Sequence, residues 1–166
     1  MKHVIQIRAA VESDIPLILQ FIQDLAGYER LRDKCSATEE GLRVTLFGEH
    51  AAAEVLIARV DDVPMGFALF FHNYSTFLAQ RGIFLEDLFV KPEARGKGVG
   101  RALLSSLAQI AIDRDCGRLE WNVLDWNEPA ISFYERIGAF PMNEWTTFRM
   151  TGPAMIELAI KRDETL

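Results

Sequence analysis

The residues best equipped for chemistry sit close together in the chain: a pair of acids, Glu86 and Asp87, in Leu85-Glu-Asp-Leu-Phe-Val90, followed by Arg95-Gly-Lys-Gly-Val-Gly-Arg101. Gly96, Gly98 and Gly100 fall where a loop becomes a helix. At a helix N-terminus the first backbone N–H groups lack intrahelical acceptors and the dipole is positive. Without a Cβ in the way, a phosphate can approach those groups closely. Arg95, Lys97 and Arg101 add positive charge at the same mouth. The stretch reads as a pyrophosphate cradle; the plainer alternative is a glycine-capped helix beside a solvated basic turn. It is not a Walker loop, since no Ser or Thr follows Lys97 and the spacer is wrong. Nor is it a dinucleotide fingerprint, which needs the strand to run directly into Gly-x-Gly-x-x-Gly.

Positioning these groups takes a strand over Leu85 to Val90, a turn broken by Pro92, and a helix from about Gly98 to Asp113. Leu103, Leu104, Leu107, Ile110 and Ala111 give that helix one apolar face. Upstream, His3 to Arg8 alternates as a first strand. Ile15, Leu17, Ile18, Phe21, Ile22 and Leu25 mark an amphipathic helix that tolerates Pro16 in its first turn and ends at Gly27. Thr38 caps a second short helix running to about Leu46. Ala53 to Val60 and Met65 to Tyr74 are strands joined by an Asp61-Asp62 hairpin turn, and Gly82 to Val90 follows. Their apolar runs lack alternation, which predicts a sheet covered on both faces. Leu119 to Leu124 is the next strand, Asn127 to Ile137 a helix ended by Gly138, Trp145 to Met150 another strand, and Pro153 opens a last helix. The order is β-α-α-β-β-β-α-β-α-β-α: an α/β fold with a mixed central sheet and helices on both faces.

The 166 residues suit one domain, 1–166, with 49% hydrophobic and 25% charged residues. A net charge of −6 argues against nucleic acid as a partner. Cys35 and Cys116 form no Cys-x-x-Cys pair, so a reduced, cytoplasmic protein is expected. The three histidines have no metal-ligand spacing, and no metal is expected. No apolar run reaches membrane-spanning length and no signal peptide is visible.

Arg95-x-x-Gly98-x-Gly100 after a strand bearing Glu86-Asp87 resembles the coenzyme A loop of the GNAT superfamily of N-acyltransferases. The order of elements is similar over nearly the whole chain. Asn127-Glu-Pro-Ala130 leading to Phe133-Tyr134 and Gly138 resembles a second element of that family. Together with Gly27-Tyr28-Glu29, these stretches resemble the diamine (spermidine/spermine) and thialysine acetyltransferase branch. The resemblance implies acetyl-CoA as cosubstrate, held by Leu88, Phe89 and Val90, by Arg95, Gly96, Lys97, Gly98, Val99, Gly100 and Arg101, and by Asn127, Glu128, Pro129 and Ala130. It places a small-molecule amine against Tyr28, Glu29, Glu86, Asp87, Glu120, Trp121 and Asn122. It also implies Tyr134 as proton donor and a homodimeric assembly.

The chemistry wants such residues. A primary amine titrates at about 10.4, so only about one molecule in 2,500 is neutral at pH 7, a deficit of about 4 to 5 kcal/mol. A carboxylate that binds the ammonium and takes its proton answers that deficit, and Glu86 is the expected base. On a regular strand Glu86 and Asp87 point to opposite faces, so only one reaches the site. A backbone N–H near Leu88 could polarise the thioester carbonyl if, as the resemblance implies, the adjacent strands splay apart where coenzyme A enters. The thiolate leaves at a pKa of about 8.5 against about 10 for a phenol, so protonation by Tyr134 helps without being indispensable. Two other readings remain: an acetyltransferase for a protein N-terminus or lysine, and a non-catalytic acyl-CoA-binding module.

Overall fold

The computed structural model describes residues 3–160. Its contacts divide the chain into two units, Met1–Asn122 and Val123–Leu166, each taken separately here.

The first unit is organised by its turns. Asp61 and Asp62 both adopt positive φ, 48° and 65°, the geometry of a two-residue hairpin turn that keeps the twist of its flanking strands. It joins β2 (Glu54–Val60) to β3 (Val63–Ser75), which returns through a second hairpin to β4 (Gln80–Val90). β1 (Ile5–Ala9) pairs antiparallel with β2. β5 (Leu119–Trp121) lies parallel to β4. The strand order is β1-β2-β3-β4-β5, a mixed sheet whose one parallel step is made through α3 (Val99–Asp113).

Helices cover both faces, as the non-alternating strands require. On one face α1 (Ile15–Tyr28) packs with α2 (Glu39–Phe47). Phe21 of α1 stacks on Phe67 of β3 at 5.4 Å and tilts against Phe89 of β4 at 6.1 Å. Ile18, Phe21 and Phe67 are fully buried. Truncating a side chain such as Phe21 to Ala costs about 3 to 5 kcal/mol. The other face takes α3, whose Leu103 and Leu107 are likewise buried. At its C-terminal end the Arg114 guanidinium lies over the Phe70 ring and holds Glu54 at the start of β2 through two hydrogen bonds of 2.5 and 2.8 Å. The Thr38 hydroxyl accepts from the Gly41 N–H at 3.1 Å, so α2 begins where its cap residue predicts.

In the second unit α4 spans Glu128–Arg136 and α5 spans Gly152–Ile160. Gly138, with φ 94°, closes α4 in the left-handed conformation read from the sequence. Two expectations need correcting. The strand read over Leu119 to Leu124 stops at Trp121. Trp145 to Met150 is not a strand: the Trp145 N–H turns back onto the Met142 carbonyl at 3.2 Å, and residues 145–150 have no regular secondary structure. Alternating apolar side chains permit a strand there, but a strand exists only through its ladder, which the local sequence does not specify.

Candidate active site

The site begins with a defect in β4. Its ladder with β3 passes from Leu69 opposite Asp87 to Phe70 opposite Leu85, leaving Glu86 as an extra residue. Such a bulge bends and twists the strand that carries it. The parallel pairing with β5 runs through Ile83–Leu119, Phe84–Glu120 and Leu85–Trp121, and ends there. From residue 86 to 90 the far edge of β4 has no strand beside it among the described residues.

The direction of the backbone groups along this edge follows from one bond. The Lys91 N–H donates to the Met65 carbonyl at 2.8 Å, so residue 91 faces β3. Antiparallel partners alternate; Phe89 and Asp87 therefore also face β3, while Leu88 and Val90 turn their N–H and C=O groups outward. In agreement, the Val90 carbonyl accepts from Arg95 Nε at 3.0 Å. The edge thus presents the Leu88 amide in the splay where the sequence reading wanted a free donor. Gly66 lets the two strands approach here, since a Cβ on it would lie 2.6 Å from the Phe89 carbonyl oxygen.

The glycine loop follows after a short 3-10 turn at Pro92–Ala94. Gly96 and Gly98 have φ of 73° and 88°, values an L side chain adopts only with strain. Gly98 is the N-cap of α3, and the first intrahelical bond is Ala102 N–H to the Gly98 carbonyl at 2.9 Å. The amides of Val99, Gly100 and Arg101 therefore head the helix without intrahelical acceptors. The Val99 side chain is buried and anchors that turn, while Lys97 and Arg101 are exposed around it. Lys97 also acts at a distance on Asp61: the His3 contact at 2.7 Å, the Val4 N–H and the Lys97 charge together hold the Asp61 carboxyl below its ordinary range. Arg95 does not join the other cations. Its guanidinium carbon lies 4.6 Å from the centroid of the Tyr28 ring and 5.9 Å from that of Phe89.

Three carboxylates lie near one another at this strand end, where Glu86 and Glu29 act on Asp87. Burial, then the neighbouring charges of Glu86 and Glu29, push the Asp87 carboxyl from 3.8 up to about 6. Burial alone raises Glu29, which follows α1 directly. Glu86 itself is exposed. On a regular strand adjacent side chains oppose one another; the bulge at Glu86 removes that constraint, and the two acids feel each other's charge.

The remaining expected substrate residues are less available. Glu120 accepts from Asn73 Nδ2 at 2.8 Å and pairs with Arg118 Nε at the same distance, so its carboxylate is already engaged. Trp121 is half-buried as the last residue of β5, and Asn122 is exposed beyond it. Tyr28 ends α1, 37% exposed, under the Arg95 guanidinium.

In the second unit Asn127 occupies the N-cap position of α4, but its side chain makes no capping bond. Its carbonyl instead accepts from the Ala130 and Ile131 N–H groups, both at 3.0 Å. Glu128, Pro129 and Ala130 form the first turn. The Tyr134 ring tilts against Phe133 at 5.5 Å. Among the described residues no group of three His, Cys, Asp or Glu could hold a metal ion, and no helix is long and apolar enough to cross a membrane.

Sequence reasoning missed the bulge and the Arg95–Tyr28 stack. Neither leaves a local signal, because the bulge is defined by the β3 partner and the stack joins residues far apart in the chain.

Comparison with known proteins adds to this geometry. A family model described as the Acetyltransferase (GNAT) family matches residues 21–139. The thialysine N-epsilon-acetyltransferase of Bos taurus is 40% identical over 168 residues, covering 95% of this chain and 98% of that protein. The L-ornithine N5-acetyltransferase of Arabidopsis thaliana is 33% identical over 195 residues, covering 90% of this chain and 86% of that protein. Among solved structures, an integron cassette protein from the mobile metagenome of V. cholerae aligns with a TM-score of 0.77 at 32% identity, covering 96% of this chain and 98% of that one.

Proposed function

The chain belongs to the GNAT acetyltransferase family and is an N-acetyltransferase; from that premise we propose that it moves the acetyl group of acetyl-CoA onto a terminal primary amine of a small diamine-like compound. One observation carries the reading. The open edge of β4 at residues 86–90 is followed, through the Pro92–Ala94 turn and the glycine loop, by the amides heading α3 that lack intrahelical acceptors, and the carboxylates of Glu86, Asp87 and Glu29 lie near the same strand end. A thioester arm laid along that edge has its diphosphate at a helix N-terminus and its acyl carbon beside acids that attract an ammonium. The names of the two relatives, thialysine and L-ornithine acetyltransferases, support a small molecule bearing an amine away from its carboxylate.

In this reading the amine binds as its ammonium and gives its proton to the acidic pair. Asp87 is the better holder of that proton, because a carboxyl titrating at about 6 lies closer to working pH than an ordinary one. The neutral amine attacks the thioester carbonyl, the new C–N bond forms, and the C–S bond breaks. The Leu88 N–H faces the developing oxyanion. The thiolate takes up a proton and the nitrogen sheds its second one to solvent; that Tyr134 donates to the thiolate rests on the family resemblance alone. Lys97, Arg101 and the amides of residues 96 to 101 hold the diphosphate; a cosubstrate role for Asn127 to Ala130 rests on the family resemblance alone. The proposal further takes the protein as a single domain from its length and as cytoplasmic from its cysteines, and as a homodimer on the resemblance alone.

A thiol-release assay with acetyl-CoA and a panel of thialysine, ornithine, lysine, putrescine, spermidine and a lysine-containing peptide tests it. Release with one or more of the small amines, and little with the peptide, is the expected result. Release with the peptide alone, or tight acetyl-CoA binding without release, overturns it.

A further inference from the structure

Arg95 opens the glycine loop, yet its side chain is anchored away from the helix mouth. Nε donates to the Val90 carbonyl at 3.0 Å, and this bond fixes the plane of the guanidinium. That plane lies over Tyr28 at 4.6 Å and reaches the buried Phe89 at 5.9 Å. Phe89 and Val90 belong to the end of β4; Tyr28 is the last residue of α1.

Immediately after Tyr28 the chain reverses. The Glu29 N–H returns to the Leu25 carbonyl at 2.9 Å, Arg30 takes a positive φ of 61°, and the Leu31 N–H bonds the Ala26 carbonyl at 2.8 Å. A non-glycine residue held left-handed marks a turn kept in place by its surroundings. The Arg95 stack supplies one such hold. The turn in question carries Glu29, one of the two charges that raise the proton affinity of Asp87.

We propose that Arg95 is a positioning residue for the amine side of the reaction: clamped to Val90, it stacks on Tyr28 and fixes the turn that places Glu29 opposite Asp87. The proposal rests on the amine-acetylation reading above and assigns to one cationic side chain of the loop a role other than holding the diphosphate. Lysine at this position keeps the positive charge offered to a phosphate but has neither the planar fork nor the Nε bond. Charge and stack are thereby separable by substitution.

The test uses the full chain, with steady-state KM for each substrate and amide hydrogen exchange in the ligand-free protein. Arg95→Lys and Tyr28→Leu are each expected to raise the amine KM about threefold to tenfold, the range of an exposed-to-partly-desolvated cation–π contact, with acetyl-CoA KM within about twofold. Tyr28→Phe, which keeps the ring, retains the slow exchange of the Glu29 and Leu31 amides that Tyr28→Leu loses. The double variant Arg95→Lys/Tyr28→Leu is no worse than either single one, because both remove the same contact. The Glu29 and Leu31 amides exchange about threefold to tenfold faster in Arg95→Lys before any ligand is added. A rise in acetyl-CoA KM with unchanged amine KM overturns the proposal. So do additive effects, unchanged exchange, or amide exchange at Glu29 and Leu31 as fast in Tyr28→Phe as in Tyr28→Leu. If Arg95→Lys does not fold, the Tyr28→Leu and Tyr28→Phe pair decides alone. Failure of the starting protein to release thiol with any amine sinks the functional reading itself, a result distinct from all of these.

Discussion

Replacing Asp87 by Asn should make the protein more stable and less active, and the stability gain should appear only above about pH 4 to 6. Burial and the charges of Glu86 and Glu29 raise this carboxyl from 3.8 to about 6. Between those values the folded state holds a proton that the unfolded chain has released, so stability falls as pH rises through the window and is constant outside it. Two units at 1.36 kcal/mol each set the cost of the ionised carboxylate at about 3 kcal/mol near pH 7. Asn is close in shape and carries no charge, but its amide needs partners of its own, so a gain of about 1 to 3 kcal/mol is expected. For a chain of this size that is an increase in Tm of about 3 to 10 °C. Urea unfolding of both proteins at pH 4, 5, 6 and 7.5 checks it: the stability of the Asn variant relative to the starting protein rises by about 3 kcal/mol from pH 4 to pH 7.5. The same variant should lose at least about tenfold in kcat/KM, since the proton acceptor is gone. A stability difference that is identical at pH 4 and 7.5, or an Asn variant less stable at neutral pH, would refute the reasoning.

Tyr134→Phe should lower kcat about 100-fold, the low end of general-acid effects, and thiol release at saturating substrates measures it; a kcat within about twofold removes Tyr134 from the mechanism. Gly98→Ala forces a side chain into φ 88° at the head of α3, which should cost about 1 to 2 kcal/mol of stability and raise the acetyl-CoA KM more than that of the amine. Glu120→Gln disturbs an engaged, partly exposed ion pair with Arg118 and the bond from Asn73, so a stability loss under about 1 kcal/mol with an amine KM within about twofold is expected in paired melting and kinetic runs.

What the chain declared locally, it declared well. The Asp61-Asp62 turn, the Thr38 cap, the left-handed Gly138 and the start of α3 at the glycine loop depend on a few neighbouring residues, and each stands where its residue types put it. The unalternating strands announced cover on both faces, and α1 and α3 supply it. Features set by a partner strand were hidden. Leu85 to Val90 reads as a plain strand, and only opposite β3 does Glu86 become the extra residue that joins two acids the sequence had separated. The same holds for the bond that Glu120 accepts from Asn73, contributed by β3. Arg95 looked like one more cation at the mouth because its reach across to Tyr28 depends on how α1 ends. Trp145 to Met150 had the composition of a strand without a ladder to make it one.

If the outward-facing edge of β4 and the amides that follow it receive the cosubstrate, backbone amide NMR during an acetyl-CoA titration shows it directly. The expected result is saturable shifts for the Leu88 and Val90 amides and for residues 96 to 101. Saturable binding that leaves these amides unmoved while residues elsewhere respond would contradict it.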